Sequence, residues 1–153
     1  MELSLTINGD EVTWDVPAYE TLLNALRRYG YTGAKRVCES GECGACAVVV
    51  DGLAVDSCIM LAAQADGSNI TTVEGLEGAG RLHPVQDAFA ANGSIQCGFC
   101  IPGMIVAAAN YLETHPQPTE TEIRHMLIGN LCRCTGYKKP VEAILAAARG
   151  TDR

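Results

Sequence analysis

Eight cysteines fall into two sets of four, and that division constrains this chain more than any other feature. The first set is Cys38, Cys43 and Cys46, spaced Cys-x4-Cys-x2-Cys and followed after eleven residues by Cys58. The second is Cys97-x2-Cys100 and Cys132-x-Cys134, with 31 residues between the two pairs. Eight cysteines in 153 residues is well below the roughly 8–10% of a small secreted scaffold held by disulfides. The first ten residues alternate apolar and polar side chains and lack the charged start and long apolar run of an export signal. A reducing compartment, the cytoplasm, is therefore expected, where cysteines serve more often as metal ligands or redox groups.

The first set has the plant-type [2Fe–2S] spacing, three thiolates from one loop and a fourth from a later strand. Gly41 and Gly44 let such a loop wrap tightly and turn backbone N–H groups toward anionic sulfur. A structural zinc site, which uses two Cys-x2–4-Cys knuckles, competes with this reading, although only Cys43 and Cys46 form a close pair. Disulfides or free thiols compete with it as well. The second set also offers four thiolates from two loops, and Cys-x-Cys is too short for a regular zinc knuckle, which favours an inorganic cluster.

Around these cysteines the chain changes character near Glu74. Before it, Leu3, Leu5 and Ile7 alternate with polar residues, Asn8-Gly9 supplies a two-residue turn, and Val12, Trp14 and Val16 resume the alternation, predicting a β-hairpin. Leu22, Leu23, Leu26 and Tyr29 recur at helical spacing with Gly30 as a stop. The loop from Lys35 to Cys46 leads into a second hairpin, Ala47–Val50 and Leu53–Val55 about Asp51-Gly52, and Ile70–Val73 reads as one more strand. The glycine- and acid-rich run from Glu74 to Gly80 lacks the Gly-Lys-Ser/Thr of a phosphate loop and reads as a linker. Beyond it Pro84 opens a helix that stops at Asn92-Gly93, and Pro102 opens a second, Met104 to about Glu113, ended by His115-Pro116. Thr119 and Glu122 form a capping box for a third helix through Leu127, and Pro140 opens a fourth to Arg149. The expected fold is α+β: an N-terminal ferredoxin-like unit over 1–74, a linker over 75–83 and a helical four-helix bundle over 84–153. Units of about 75 residues bury only about 60% of their unfolded surface, so cluster ligation would help hold each half.

Three segments, Cys38-Glu-Ser-Gly-Glu-Cys-Gly-Ala-Cys46, Gln96-Cys-Gly-Phe-Cys100 and Gly129-Asn-Leu-Cys-Arg-Cys-Thr-Gly-Tyr137, together resemble the small iron–sulfur subunit of the molybdenum hydroxylase (xanthine oxidase) family. The resemblance runs in order over about residues 1 to 149. It implies a β-grasp domain and a helical domain, each with one [2Fe–2S] cluster. It also implies a large subunit with molybdenum on a pterin dinucleotide, a medium subunit with FAD, and a dimer of heterotrimers. Electrons would pass from molybdenum through the helical-domain cluster to the β-grasp cluster and on to FAD. By the same resemblance Cys38, Cys43, Cys46 and Cys58 bind the cluster nearer FAD, and Cys97, Cys100, Cys132 and Cys134 the one nearer molybdenum. Gln96 and Cys134 match positions that approach the pterin. Ala47 and Ile101 depart from the family, where threonine is frequent.

The remaining residues narrow the function. The net charge is −7, with eleven basic residues scattered, which disfavours a nucleic-acid surface. No apolar run approaches the roughly 18 residues needed to cross a bilayer. His83 and His115 precede prolines at helix boundaries and His125 sits on the third helix, so structural or surface roles are expected for all three. Arg133, between two ligands, would offset cluster charge or face a partner, while Lys35 and Arg36 read as exposed charge. No catalytic triad, acid/base pair or dinucleotide fingerprint stands out, so no catalytic residue is expected in this chain. A free-standing two-cluster carrier or redox sensor and a zinc-stapled interaction module are the competing functions.

Overall fold

The computed structural model describes residues 1–150. Strand β1 (Glu2–Ile7) pairs antiparallel with β2 (Asp10–Asp15), placing Leu5 opposite Val12 and Leu3 opposite Trp14. The alternation in sequence becomes alternation in burial, since Leu3, Leu5 and Ile7 all face the core. Strands β3 (Ala47–Val50) and β4 (Leu53–Asp56) form the second hairpin, and β5 (Asn69–Thr71) lies parallel to β1 and antiparallel to β3. The order across the sheet is β2-β1-β5-β3-β4. Helix α1 (Leu22–Arg28) is capped by Thr21, whose side chain accepts the Asn24 N–H, and it buries Leu22, Leu23 and Leu26 against the sheet. Among the described residues the fold is thus mixed α+β, with five strands and five α-helices.

Helices α2 (Pro84–Ala91), α3 (Ile101–Thr114), α4 (Glu120–Met126) and α5 (Lys138–Gly150) surround a second core built on Phe89, Met104, Ile123 and Ile144. Several boundaries differ from the sequence reading, most by a single residue. Val73 is not in a strand but opens a 3₁₀ turn, Val73–Gly75, because it and Leu76 pack onto the helical core. Helices α3 and α5 each begin before the proline expected to open them, which costs nothing because the N–H groups of a first turn have no helical partner. His83 caps α2, its Nδ1 accepting the Val85 N–H at 3.2 Å while Gln86 Oε1 accepts the His83 N–H at 2.9 Å.

The two cores meet along α3, which packs across β3 and β4. Asn110 on α3 accepts the Ala54 N–H at 3.2 Å and donates to Gly52 O at 2.8 Å, holding the turn of the second hairpin. Among the described residues no helix is long and apolar enough to cross a membrane.

Candidate metal centres

The first cysteine loop runs from the end of α1 to β3 and is closed by the strand that follows. Cys46 enters β3 and Cys58 follows β4, so both sit in the sheet core, with Cys43 buried beside them and Cys38 half-buried. Ser57, fully buried, donates to Cys46 O at 2.7 Å and pins the two ends of this site together. Within the set the thiols meet two by two, Cys38 with Cys43 and Cys46 with Cys58.

The second site lies at the start of α3. Cys97 and Cys100 occupy the turn into α3, and Cys132 and Cys134 the loop into α5. Cys97 and Cys134 are exposed with their sulfurs 3.5 Å apart, and Cys100 and Cys132 form the inner pair against the helical core. Ser94, fully buried, donates to Lys139 O at 2.9 Å and ties the loop before Cys97 to the first turn of α5.

The thiols do not share one electrostatic environment. Backbone N–H groups of Ser40 and Glu42 lower the Cys38 thiol to about 6, while burial pushes Cys46 and Cys100 up to about 12. Burial also raises Cys43, and the bond to Cys97 raises Cys134. For Cys132 burial is the largest single influence and acts upward, but hydrogen bonds from the Thr135 hydroxyl and N–H, the Cys134 N–H and the Cys100 side chain together lower the thiol. Thiols held high in energy as thiolates are relieved by soft cations, for which sulfur is the preferred donor.

A [2Fe–2S] cluster fits these residues better than a single ion. Each set offers four thiols arranged as two pairs, one pair for each iron. Two glycines of the first loop stand where neighbours leave no space for a side chain. Gly44, at φ +68°, is so tightly enclosed that a Cβ there would lie 2.3 Å from Gly129 O. Gly41, at φ +74°, would meet Ile59 Cδ1 at 2.7 Å.

The two loops touch directly. Leu131 N–H donates to Cys43 O at 2.9 Å, and the buried Asn130 side chain donates to Gly44 O at 3.3 Å. Gly103 on α3 faces the same carbonyl, where a Cβ would stand 2.1 Å from Gly44 O.

Two family models divide the chain between them: the 2Fe-2S iron-sulfur cluster binding domain matches residues 5–74 and the [2Fe-2S] binding domain residues 72–145. The nicotine 6-hydroxylase small subunit of Paenarthrobacter nicotinovorans is 49% identical over 96% of this chain and 89% of its own length. The xanthine dehydrogenase iron-sulfur-binding subunit of Escherichia coli O157:H7 is 47% identical over 94% of this chain and 91% of its own. The chain belongs to the small iron–sulfur subunits of the molybdenum hydroxylase family. Quinoline 2-oxidoreductase from Pseudomonas putida 86 contains a chain that superposes with a TM-score of 0.95 at 43% identity, covering 100% of this small subunit and 96% of that chain.

In this small subunit Gln96 and Arg133 are both exposed beside the second site, Gln96 next to Cys97 and Arg133 between Cys132 and Cys134. Lys35 donates to Thr32 O at 2.9 Å, and Arg36 pairs with Glu39 at 3.2 Å. Ala47 and Ile101 are both buried, which suits side chains without a hydroxyl. Sequence reasoning missed Ser57, Asn130, Thr135 and Tyr137, whose bonds hold the loops. A polar residue adjoining or inside a cysteine motif was the available signal for Ser57, Asn130 and Thr135, and nothing marked Tyr137 as a residue with φ +67°.

Proposed function

We propose that this small subunit acts between a large molybdopterin-binding subunit and a medium FAD-binding subunit, in a heterotrimer that pairs into a dimer of heterotrimers. Cys38, Cys43, Cys46 and Cys58 hold one [2Fe–2S] cluster in an N-terminal β-grasp unit over 1–74. Cys97, Cys100, Cys132 and Cys134 hold the other in a C-terminal four-helix unit over 84–153, with 75–83 as the connection. Bound there, the clusters supply one-electron steps between the molybdenum site, which carries the pterin dinucleotide, and FAD. Gln96 and Cys134 face the pterin of the large subunit. Eight unpaired thiols suit the reducing cytoplasm.

The observation that carries this reading is the adjacency of two four-thiol sites, both beside the first turn of α3, with their loops joined by the Leu131–Cys43 hydrogen bond. Exposed apolar side chains support a position between two partners. Ile95, Phe99 and Leu131 flank the second set in sequence, and Val37 and Ile59 flank the first.

Purification under native conditions tests it. The chain is expected to come with two larger subunits, and the reduced complex to show two distinguishable [2Fe–2S] EPR signals. Iron for a single cluster per chain, or zinc in its place, would refute the assignment. A stable iron-loaded monomer without partners would favour a free-standing carrier.

A further inference from the structure

The loop after the second cysteine pair closes on itself through side chains that metal ligation does not require. Thr135 Oγ1 lies 3.0 Å from Cys132 Sγ, and the Thr135 N–H donates to the same sulfur at 3.4 Å. The Tyr137 N–H donates to Thr135 Oγ1 at 3.2 Å, and the Tyr137 hydroxyl accepts the Cys132 N–H at 2.8 Å. Tyr137 makes both contacts at φ +67°, a region that side-chain-bearing residues seldom enter and that is retained where the surroundings enforce it.

The direction of the Thr135 hydroxyl follows from counting. A hydroxyl has one hydrogen and accepts through its lone pairs. The Tyr137 N–H occupies the acceptor side, which leaves the single hydrogen free for the Cys132 sulfur. A metal-bound Cys132 is a thiolate and has no hydrogen to give, so Thr135 is the donor of this bond. A hydrogen bond to an anionic acceptor is among the strong ones. Because a reduced cluster is one charge more negative than an oxidised one, a donor aimed at its ligand sulfur favours the reduced state.

We propose that Thr135 raises the reduction potential of the cluster held by Cys97, Cys100, Cys132 and Cys134, and that Tyr137 is a positioning residue which keeps the Thr135 hydroxyl on the Cys132 sulfur. This rests on the ligand assignment given above. A purely structural role for Thr135 would be served by any side chain that fills the same space. A role in setting potential requires the hydroxyl itself.

The test is a mediated redox titration of the assembled complex, with dithionite as reductant and each cluster followed by its EPR signal. Signals are assigned with Cys43→Ser and Cys97→Ser, each of which is expected to delete one. Thr135→Val should lower the potential of the second-site signal alone, and Thr135→Ser should return it to the wild-type value. Tyr137→Phe should shift it in the same direction by less. Full iron with an unchanged second-site potential in Thr135→Val overturns the proposal, and so does an equal shift of both signals or a shift in Thr135→Ser as large as in Thr135→Val. If Thr135→Val loses the second-site iron while Thr135→Ser keeps it, the hydroxyl holds the loop and does not set the potential, which also overturns it. If Tyr137→Phe leaves the potential unmoved, the positioning role falls. A wild-type complex without iron at this site would overturn the ligand assignment itself, an outcome distinct from all of these.

Discussion

Replacing Gly44 with alanine separates two burdens that a glycine in a cluster loop can carry. One is conformational, since φ +68° disfavours any L side chain by about 1 kcal/mol. The other is spatial: the new Cβ would sit 2.3 Å from Gly129 O and 2.4 Å from Asn130 Nδ2. Gly129 O is backbone and cannot swing aside, so the two loops must part, at the about 1–3 kcal/mol typical of overpacking. Their parting also loses the Asn130 bond to Gly44 O, worth about 1 kcal/mol. The sum is about 3–5 kcal/mol. Gly52 is the control, because it has φ +84° with nothing within 4 Å of its Cβ position, so Gly52→Ala should cost only the conformational part, about 1 kcal/mol. At about 2–4 °C per kcal/mol for a chain of this size, the apparent midpoint should fall by about 10 °C for Gly44→Ala and about 3 °C for Gly52→Ala. Loss of visible iron–sulfur absorbance on heating, scanned at one fixed rate because cluster loss is irreversible, measures both. Equal shifts for the two variants would refute the claim that the loops are packed against each other at Gly44.

Three further changes probe the first site and the helical unit. Cys43→Ser replaces a soft ligand with a hard one. The first-site EPR signal should disappear and substrate should no longer bleach the flavin, with molybdenum still reducible; full turnover would show that the relay order is wrong. In α4, Glu122 accepts from both the N–H and the hydroxyl of Thr119 at 2.7 Å, and its carboxyl is held below the usual range chiefly by that backbone bond. Thr119→Ala should destabilise the unit by about 1 kcal/mol, read from the shift in its denaturation midpoint. Because the folded value for Glu122 lies below the unfolded one, its contribution is complete above the unfolded value and is lost as pH falls through the folded one. The stability difference between wild type and Glu122→Gln should therefore be constant near neutrality and vanish in acid, and a difference that grew on acidification would contradict the sign.

Whatever depends on local repetition was legible in the sequence. The Leu3–Leu5–Ile7 alternation, the Asn8-Gly9 turn and the Thr119–Glu122 box each depend on neighbours a few residues apart, and each forms as read. Val73 was misread because its β-branched side chain carries no mark of which core it will join, and it turns toward the helices. The joining of the loops was hidden for the same reason in stronger form. Asn130 and Gly44 are 86 residues apart, and nothing local to either predicts that one will donate to the other's carbonyl. Tyr137 is harder still, since its left-handed backbone is imposed by two hydrogen bonds that exist only after the loop has closed.

The burial of the thiols orders the two sites from surface to interior to surface. At the second site the outer pair, Cys97 and Cys134, is exposed, while the inner pair, Cys100 and Cys132, rests on the helical core. Leu131, next to Cys132, bonds to Cys43, and the partner of Cys43 in its pair is Cys38, the least buried thiol of the first site. The deepest pair, Cys46 and Cys58, lies to the side of this line, inside the sheet core. An uninterrupted frame of covalent bonds and one 2.9 Å hydrogen bond thus runs from one exposed thiol pair to a half-exposed thiol at the other site. A protein that only stored two clusters would gain by burying both sites alike and would need no contact between their loops. A small subunit that passes electrons between two partners needs one accessible edge at each site and a fixed separation between them, and the Gly44–Gly103–Asn130 contact supplies that fixed separation.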